Sequence, residues 1–268
     1  IRDNNGEYVL INGNQIVMIF LNYLMTRNTE LGTLTGNEYI VKTIVTTETI
    51  RTIAEAQHIK MYDCFTGFKW IANVMRENEG KARYLGGGEE SYGFLAEDFV
   101  RDKDSVSAIS LMAEIAAWAK DKGLNMTDML IDIYMKYGFS REKGISLVRK
   151  GKSGAEEIIA LMKQFRENPP KEIAGSPVVT VKDFQSLVET NVATGETKKL
   201  DMPATSNVLE YYTADRTKVS VRPSGTEPKI KFYIEVHDTL ASSDEYKATE
   251  ARADEKINRI AKEFGITK

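Results

Sequence analysis

The chain changes its pattern of secondary structure near its midpoint, and this change constrains the fold more than any other feature. Over the first 138 residues, short strands alternate with helices. Residues 39–41 predict a strand, and Ile50, Ile53 and Ala54 then recur at helical spacing. Residues 7–11 and 82–85 also read as extended segments. Such alternation predicts an α/β domain with a mixed sheet over residues 1–138, with its chemistry in the loops at the strand ends.

Beyond residues 138–143, extended segments follow one another with few helices between them. A helix over residues 153–167 stops at Asn168-Pro169-Pro170, because proline cannot continue it. The last helix runs from about residue 244 to 264, and Ser242 and Glu245 have capping-box spacing at its start. The sequence therefore predicts a smaller α+β domain over residues 139–268, in the order β-α-β-β-β-β-α.

Composition excludes several classes of function. A net charge of -3 argues against nucleic-acid binding, which needs a basic face. The longest apolar run, residues 16–21, is far shorter than a membrane span. The single cysteine, Cys64, forms no internal disulfide, which fits the cytoplasm, and we interpret it as buried and inert rather than as a catalytic thiol. The first residue is Ile1 rather than Met, which indicates a processed or cut piece.

A loop between two predicted strands, Arg222-Pro223-Ser224-Gly225-Thr226-Glu227-Pro228, has the composition of an anion site. The Arg222 guanidinium suits bidentate phosphate contact, and Ser224 and Thr226 supply hydroxyl donors. Gly225 lets a ligand approach the backbone, so that neighbouring N–H groups can point at one anion. A plain hairpin turn has a similar composition, so both interpretations stay open.

A second loop, Gly86-Gly87-Gly88-Glu89-Glu90-Ser91, suits a sugar. Glu89 and Ser91 lie two residues apart and face the same side if the loop is extended. A carboxylate accepts hydrogen bonds from neighbouring hydroxyls, as sugar binding requires. The alternative is a flexible glycine joint followed by a solvated glutamate pair. Neither this loop nor the two histidines has partners at metal-ligand spacing, so no metal site is predicted in this chain.

Two lysines are further candidates. Thr66-Gly67-Phe68-Lys69 begins a predicted helix, where free N–H groups and the Lys69 charge favour an anion. Lys42 follows a strand and is either a pocket cation or a surface residue, and the sequence alone favours the surface.

Together these loops resemble the α-D-phosphohexomutase family. Gly88-Glu89-Glu90-Ser91 is similar to its sugar-recognition loop, and Arg222-Pro223-Ser224-Gly225-Thr226 to its phosphate-binding loop. Thr66-Gly67-Phe68-Lys69 resembles the family's Thr-Gly-aromatic-Lys stretch. The resemblance covers essentially the whole chain and implies the third domain over residues 1–138 and the C-terminal domain over residues 139–268. No segment resembles the family's phosphorylated serine loop or its Asp-rich metal loop.

The resemblance implies a phosphoglucomutase-type activity, interconverting glucose 1-phosphate and glucose 6-phosphate. The reaction proceeds through glucose 1,6-bisphosphate and a phosphoserine, with Mg²⁺, and both the serine and the metal ligands belong to an N-terminal half outside this chain. By the same implication, Glu89 and Ser91 bind sugar hydroxyls, and Lys42 and Lys69 line the cleft. Lys69 is also a candidate for assisting proton transfer. The phosphate ligands are Arg222, Ser224, Gly225 and Thr226.

The residues around Glu90 bear on the substrate. Gly-Glu-Glu-Ser resembles the glucose-preferring branches, and Tyr92-Gly93 resembles the phosphoglucomutase/phosphopentomutase branch. A pentose phosphate or a mannose phosphate therefore stays an alternative substrate. For this chain alone, a sugar-phosphate-binding module without turnover is a further alternative, and the chain by itself is expected to be inactive.

Overall fold

The computed structural model describes residues 1–3, 5–149, 151–225 and 227–267. Contacts divide the chain into two units. The first contains Ile1–Phe139 and Leu240–Tyr246, and the second contains Ser140–Thr239 and Lys247–Lys268. A division into two continuous segments therefore misses residues 240–246, which pack with the first unit although they are distant in sequence.

The first unit is an α/β domain around a four-stranded mixed sheet. Its sheet order is β2-β1-β3-β4, with β1 parallel to β2 and β3, and β4 antiparallel to β3. The elements are α1 (Gly13–Glu30), β1 (Glu38–Thr43), α2 (Thr49–Ala56), β2 (Lys60–Cys64), α3 (Phe68–Asn78), β3 (Arg83–Gly88), β4 (Phe94–Ala96), α4 (Ser105–Asp121) and α5 (Met126–Tyr137).

The helix starts of this unit follow from local capping. Asn12 Oδ1 accepts from the Gln15 N–H, and Gln15 Oε1 accepts from the Asn12 N–H, both at 2.9 Å. This reciprocal pair satisfies two donors that a helix start leaves free. Asp104 likewise accepts from the Ser107 N–H at 2.8 Å and begins α4. Short-range sequence signals therefore locate these helices correctly.

Two predictions for the first unit are wrong. Residues 7–11 form no strand: Tyr8 makes one isolated bridge to Arg2, and Tyr8 and Leu10 are exposed. Gly86-Gly87-Gly88 is not a loop but the end of β3, paired with β1 and β4. A Cβ on Gly87 would lie 2.6 Å from the Val41 carbonyl oxygen, so close approach of two strands requires glycine there.

The second unit is an α+β domain, as the sequence indicates, but it has more strands than predicted. The sheet order is β5-β12-β11-β10-β7-β8-β9, and β6 pairs with β7. The elements are β5 (Phe139–Val148), α6 (Gly151–Glu167), β6 (Glu172–Ile173), β7 (Ser176–Asp183), β8 (Val188–Asn191), β9 (Thr197–Lys199), β10 (Leu209–Thr213), β11 (Lys218–Pro223), β12 (Lys229–Asp238), a 3₁₀ turn (Ser243–Glu245) and α7 (Tyr246–Glu263).

The sequence missed β6 because it has only two residues, and it missed β8 and β9 because these strands bury little apolar surface. β9 is exposed along its whole length, and β8 reads Val-Glu-Thr-Asn, so neither shows an apolar alternation. The capping box predicted at Ser242 is also absent, since the Ser242 side chain makes no capping hydrogen bond and a 3₁₀ turn precedes α7. Tertiary pairing, not local composition, determines these segments.

The two faces of the second sheet differ in polarity. Along β11, Val219 and Val221 point to the apolar side, where α6 packs against β11 and β12. Lys218, Ser220 and Arg222 alternate with them and share the other face. On that face Lys218 Nζ lies 3.1 Å from Glu235 Oε2, with both side chains buried. His237 Nε2 lies 3.0 Å from Glu235 Oε1.

The turn between β10 and β11 contains an ionised aspartate. Asp215 Oδ1 accepts from the hydroxyls of Thr213 and Thr217, and Lys256 Nζ lies 2.7 Å from its Oδ2. Burial raises the pKa of Asp215, but the hydrogen bonds from Lys256, Thr213 and Thr217 outweigh it and hold this pKa well below its ordinary value.

We expect Asp215→Asn to destabilise the protein at pH 7 but not at strongly acidic pH. A depressed native pKa contributes stability above the unfolded-state pKa of about 3.9, and this contribution disappears as pH falls toward the native value. Because the side chain is partly exposed, the loss at pH 7 should be only about 1 kcal/mol. Urea unfolding over a series of pH values from 7 down to 2 measures it, and a difference that stays constant as the pH falls would contradict the assignment.

In the described part of the chain, no helix combines the length and the apolar composition needed to cross a membrane.

Candidate functional site

The loops with candidate residues in the first unit follow the carboxyl ends of its three parallel strands. Residues 44–48 follow β1, residues 65–67 follow β2, and residues 89–93 connect β3 to β4. Because parallel strands end at the same edge of a sheet, the three loops meet there. The Gly67 N–H donates to Glu89, and the Thr43 hydroxyl, at the end of β1, lies within hydrogen-bond distance of Glu90.

Glu89 joins the second and third loops. Its Oε1 accepts from the Gly67 N–H at 2.7 Å, at the N-terminus of α3. Gly67 has φ +107° and no side chain that could cap α3. The Glu89 carboxylate, which belongs to a different loop, instead accepts a hydrogen bond at this helix start. No described residue donates to Glu89 Oε2, which leaves that oxygen available to another donor.

The loop that contains Glu89 and Ser91 is a tight turn rather than an extended segment. The Tyr92 N–H donates to the Glu89 carbonyl oxygen at 3.2 Å, and the Glu89 N–H donates to the Gly93 carbonyl oxygen at 2.8 Å. Tyr92 has φ +72°, an uncommon backbone conformation for a large side chain. Glu89 is buried and Ser91 is exposed, so the prediction that they face one side of an extended loop is wrong.

The third loop also contacts the first. Glu90 Oε2 lies 3.4 Å from the Thr43 hydroxyl, which in turn lies 2.8 Å from the Thr46 hydroxyl. The second glutamate of the motif is therefore not a freely solvated surface residue, as the alternative interpretation of this loop assumed. Its carboxylate is directed to the carboxyl end of β1.

Gly13 is a residue of this site that sequence reasoning did not select. It is the first residue of α1, and a Cβ there would lie 2.0 Å from the Glu90 carbonyl oxygen and 2.9 Å from the Tyr92 nitrogen. The helix start thus supports the turn through backbone contact. The Asn12-Gly13-Asn14 run identified the helix start, but nothing in the sequence indicated which distant loop it touches.

We expect Gly13→Ala to displace the turn of residues 89–93 and to destabilise the protein by about 1–3 kcal/mol, the usual cost of overpacking. Gly123→Ala is not a suitable control because its φ is positive. Gly144→Ala is a better control, because its Cβ would meet no atom within 4 Å. Urea unfolding and amide exchange of residues 89–93 measure both effects, and unchanged exchange in Gly13→Ala would contradict the contact.

Lys42 is fully buried, so the surface position that the sequence favoured is wrong. Its Nζ lies 2.9 Å from Glu48 Oε1 and 2.9 Å from Asp63 Oδ1. Arg51 pairs with the second oxygen of each carboxylate, at 3.0 Å for Glu48. A lysine leaves water only when its charge is compensated in this way. This four-residue network lies at the ends of β1 and β2.

Lys69 lies in the first turn of α3 and is exposed. Its Nζ lies 5.4 Å from the centre of the Trp70 ring, and it has no ion pair with a described residue. The same turn contains the Gly67 N–H that binds Glu89, so the structure brings Lys69 and Glu89 to the same edge of the sheet.

A surface depression of about 340 Å³ lies beside the turn. Ser91, Tyr92, Gly93 and Phe94 line one side, and the start of α4, from Lys103 to Ser105, lines the other. Its lining combines the Lys103 ammonium, the Asp104 carboxylate and the Ser91 and Ser105 hydroxyls, which suits a hydroxyl-rich ligand.

The second candidate loop joins β11 and β12 in the second unit. Arg222 lies opposite Lys231, and Pro223 lies opposite Ile230. The Ser224 N–H donates to the Lys229 carbonyl oxygen at 2.8 Å, which closes the loop. Thr226, the fourth predicted phosphate ligand, lies outside the described residues.

The exposed part of this loop is open. Gly225 is exposed, and a Cβ there would meet no atom within 4 Å. Its φ is not positive, so neither packing nor backbone strain requires glycine at this position. Glycine leaves the backbone here accessible from solvent, which the anion-site interpretation needs.

Basic residues surround the base of this loop. Arg222 and Lys231 occupy paired positions on neighbouring strands and share a face of the sheet. Lys229 Nζ lies 2.5 Å from Glu227 Oε2, and its hydrogen bond lowers the pKa of Glu227. The Arg149 N–H donates to the Pro228 carbonyl oxygen at 2.9 Å, so the end of the segment that follows β5 also contacts the loop. Sequence reasoning missed Lys231, although alternation along Lys229-Ile230-Lys231 gives its face.

The described residues contain no group of three or more His, Cys, Asp or Glu side chains arranged to hold a metal ion. They therefore do not fit a Mg²⁺ site. Cys64 is buried, as expected, and burial raises the pKa of its thiol, which disfavours the reactive thiolate.

Comparison with known proteins relates both units to one family. The profile of "Phosphoglucomutase/phosphomannomutase, alpha/beta/alpha domain III" matches residues 12–137. The profile of "Phosphoglucomutase/phosphomannomutase, C-terminal domain" matches residues 161–253. Among curated relatives, a phosphoglucomutase of Staphylococcus epidermidis is 35% identical over 87% of this chain and 42% of that protein. A phosphoglucomutase of Staphylococcus aureus is 34% identical over 87% of this chain and 41% of that protein. The chain thus spans about two fifths of these relatives.

Solved structures share the fold. An open form of the Paramecium phosphoglucomutase parafusin superimposes with a TM-score of 0.58 at 14% identity, over 96% of this chain and 43% of that chain. A phosphoglucomutase/phosphomannomutase family protein of Burkholderia thailandensis gives 0.55 at 16% identity, over 98% and 44%. The two profiles confirm the family relationship expected from the loops. The chain belongs to the phosphoglucomutase/phosphomannomutase family and contains its domain III and its C-terminal domain.

Proposed function

We propose that this chain is the sugar-recognition and phosphate-binding half of a phosphoglucomutase, an isomerase that transfers a phosphoryl group within a sugar. The reaction would interconvert glucose 1-phosphate and glucose 6-phosphate through glucose 1,6-bisphosphate. The names of the curated relatives support the reaction class. The observation that carries the proposal is the β11–β12 loop, where Arg222 and Lys231 lie side by side below an open backbone.

The β11–β12 loop would bind the phosphate that does not react. Arg222 offers paired N–H donors, Ser224 a hydroxyl and Gly225 an accessible backbone, while Lys231 adds a second positive charge. Thr226 belongs to the same proposal. Phosphoryl transfer depends mainly on positioning and charge stabilisation, so a fixed phosphate ligand is a substantial contribution.

The turn at residues 89–93 would bind the sugar. Glu89 Oε2 would accept from a sugar hydroxyl while Oε1 keeps its bond to Gly67, and Ser91 would add a hydroxyl on the exposed side. Lys69 would supply positive charge and could take part in proton transfer. The Lys42 ammonium forms ion pairs with Glu48 and Asp63. To bind the substrate, it would have to give up one of these two ion pairs and contact a ligand oxygen instead.

The remaining groups would come from outside this chain. The family resemblance implies that the phosphoserine and the Mg²⁺ ligands belong to other domains. Mg²⁺ would there neutralise charge on the phosphate that is transferred. Without those domains, we expect no turnover by this chain alone. A cytoplasmic location and an N-terminal partner half remain parts of the proposal.

Calorimetric titration without metal tests this function. Glucose 1-phosphate, glucose 6-phosphate, mannose 6-phosphate, ribose 5-phosphate and inorganic phosphate are titrated separately into the chain. We expect a glucose phosphate to bind at least about tenfold more tightly than inorganic phosphate, a difference of about 1.4 kcal/mol. A preference for ribose 5-phosphate or mannose 6-phosphate would indicate that this sugar phosphate, rather than a glucose phosphate, is the substrate. Equal affinity for all five, or no saturation at about 10 mM, would overturn sugar-phosphate recognition by this chain.

A further inference from the structure

The exposed face of α4 lacks the charged residues that a solvated helix normally carries. Between Ser105 and Ala119 the only charged side chain is Glu114, and Tyr23 donates a 2.5 Å hydrogen bond to it. Val106 and Ile109 are 71% and 70% exposed. Ala113, Ala116 and Ala117 continue the same exposed side at helical spacing. A helix that is apolar on all sides is normally buried on all sides.

The hydroxyl groups along this helix do not make the face polar. The Ser110 hydroxyl donates to the Val106 carbonyl oxygen at 3.0 Å, and the Ser107 hydroxyl donates to the Asp104 carbonyl oxygen at 3.1 Å. Both hydroxyl protons would therefore keep their acceptors if another molecule covered this face. We call this surface the α4 face and define it by Val106, Ile109, Ala113, Ala116 and Ala117.

The ends of the α4 face differ in size and in charge. The large side chains, Val106 and Ile109, lie near its N-terminal end, and the alanines lie toward its C-terminal end. Exposed Asp102 precedes the helix, with Lys103 Nζ 3.3 Å from its Oδ1, and exposed Lys120 lies in the last turn. An antiparallel second copy would place the large residues on the small ones and would bring Lys120 near Asp102.

We propose that the α4 face binds the α4 face of a second copy of this chain, related by a two-fold axis near Ala113. In this arrangement Ile109 packs against Ala116 and Ala117 of the other copy, because alanines allow two helices to approach closely. Lys120 of each copy extends to Asp102 of the other. Antiparallel helix dipoles favour the same orientation.

The size of the contact sets its strength. A helix of 17 residues is about 25 Å long, so the pair buries less area than a permanent dimer of about 1,200–2,000 Å². The association is therefore reversible and depends on protein concentration.

Sedimentation velocity from about 5 to 500 µM tests the proposal. The mass of the chain is 30.1 kDa, and we expect the weight-average mass to rise toward about twice that value over this range. Ile109→Glu should weaken association at least about tenfold, because it puts a charge at the centre of the contact. Ile159→Glu is the matched control, since Ile159 is similarly exposed but lies on α6 among charged residues.

Charge exchange tests the orientation. Lys120→Glu should weaken association, and adding Asp102→Lys to it should restore association, because the two charges would again be opposite. Circular dichroism checks that each variant is folded. A chain that stays monomeric at 500 µM, or a dimer that Ile109→Glu leaves unchanged, would overturn the proposal. A dimer that the double charge exchange does not restore would overturn the antiparallel arrangement.

Discussion

Glu235→Gln is expected to lower the free energy of unfolding of the second unit by about 3 kcal/mol or more. Glu235 and Lys218 are paired at 3.1 Å with both side chains almost fully buried. Glutamine keeps the shape but removes the negative charge that faces the Lys218 ammonium in a region of low dielectric constant. Removing one member of a buried ion pair usually costs about 3–5 kcal/mol.

Urea unfolding measures the loss, and amide exchange in β11 and β12 assigns it to this sheet. Glu167→Gln is the matched control, because Glu167 pairs with Lys163 in the same unit with both side chains exposed, and it should lose less than about 1 kcal/mol. If the two variants lose equal stability, the burial of the Lys218–Glu235 pair has no energetic consequence.

A double replacement separates charge from packing. Lys218→Met combined with Glu235→Leu removes both charges while keeping side chains of comparable volume. It should recover most of the stability that Glu235→Gln loses, since apolar replacement of a whole buried pair is often neutral or stabilising. His237, which also contacts Glu235, would then lose a hydrogen-bond partner, so full recovery is not expected.

Arg222→Ala is expected to weaken sugar-phosphate binding by about 1.5–3 kcal/mol, or about 10- to 150-fold in Kd. Arg222 is the one predicted phosphate ligand with a planar fork, and its position opposite Lys231 places both charges on one face. Arg222→Lys should recover only part of the affinity, because an ammonium cannot make the bidentate contact. Folding should be unaffected, since the side chain is only partly buried.

The measurement is the same calorimetric titration with glucose 1-phosphate. Arg259→Ala is the control for net charge, because Arg259 is exposed on α7 and removes the same charge from the same unit. A loss in both variants would indicate a general electrostatic effect. Unchanged affinity in Arg222→Ala would contradict the phosphate-loop assignment.

Local signals in the sequence predicted much of the fold and part of the site. The caps at Asn12 and Asp104 located helix starts, because capping depends on residues three apart. The loop Arg222-Pro223-Ser224-Gly225 was located between two strands, where the structure has it. By contrast, β8 and β9 were missed, because their pairing depends on β7 rather than on their own composition.

Contacts between distant residues determined the features of the site that the sequence did not predict. Glu89 appeared in the sequence as a sugar ligand in an extended loop, whereas in the fold it lies in a tight turn and binds the Gly67 N–H. Lys42 appeared as a surface residue because lysine is rarely buried, but Glu48 and Asp63 compensate its charge inside the domain.

The sequence alone therefore determined the family, the order of most elements and the loops with candidate ligands, because motifs and caps are short-range properties. Only the tertiary structure decided which of these residues are buried, which paired charges hold them, and that Gly13 supports the turn at residues 89–93. The physical reason is that burial and ion pairing depend on which strands and helices come together. Residues far apart in the chain determine which elements pack together, and no local sequence pattern indicates this.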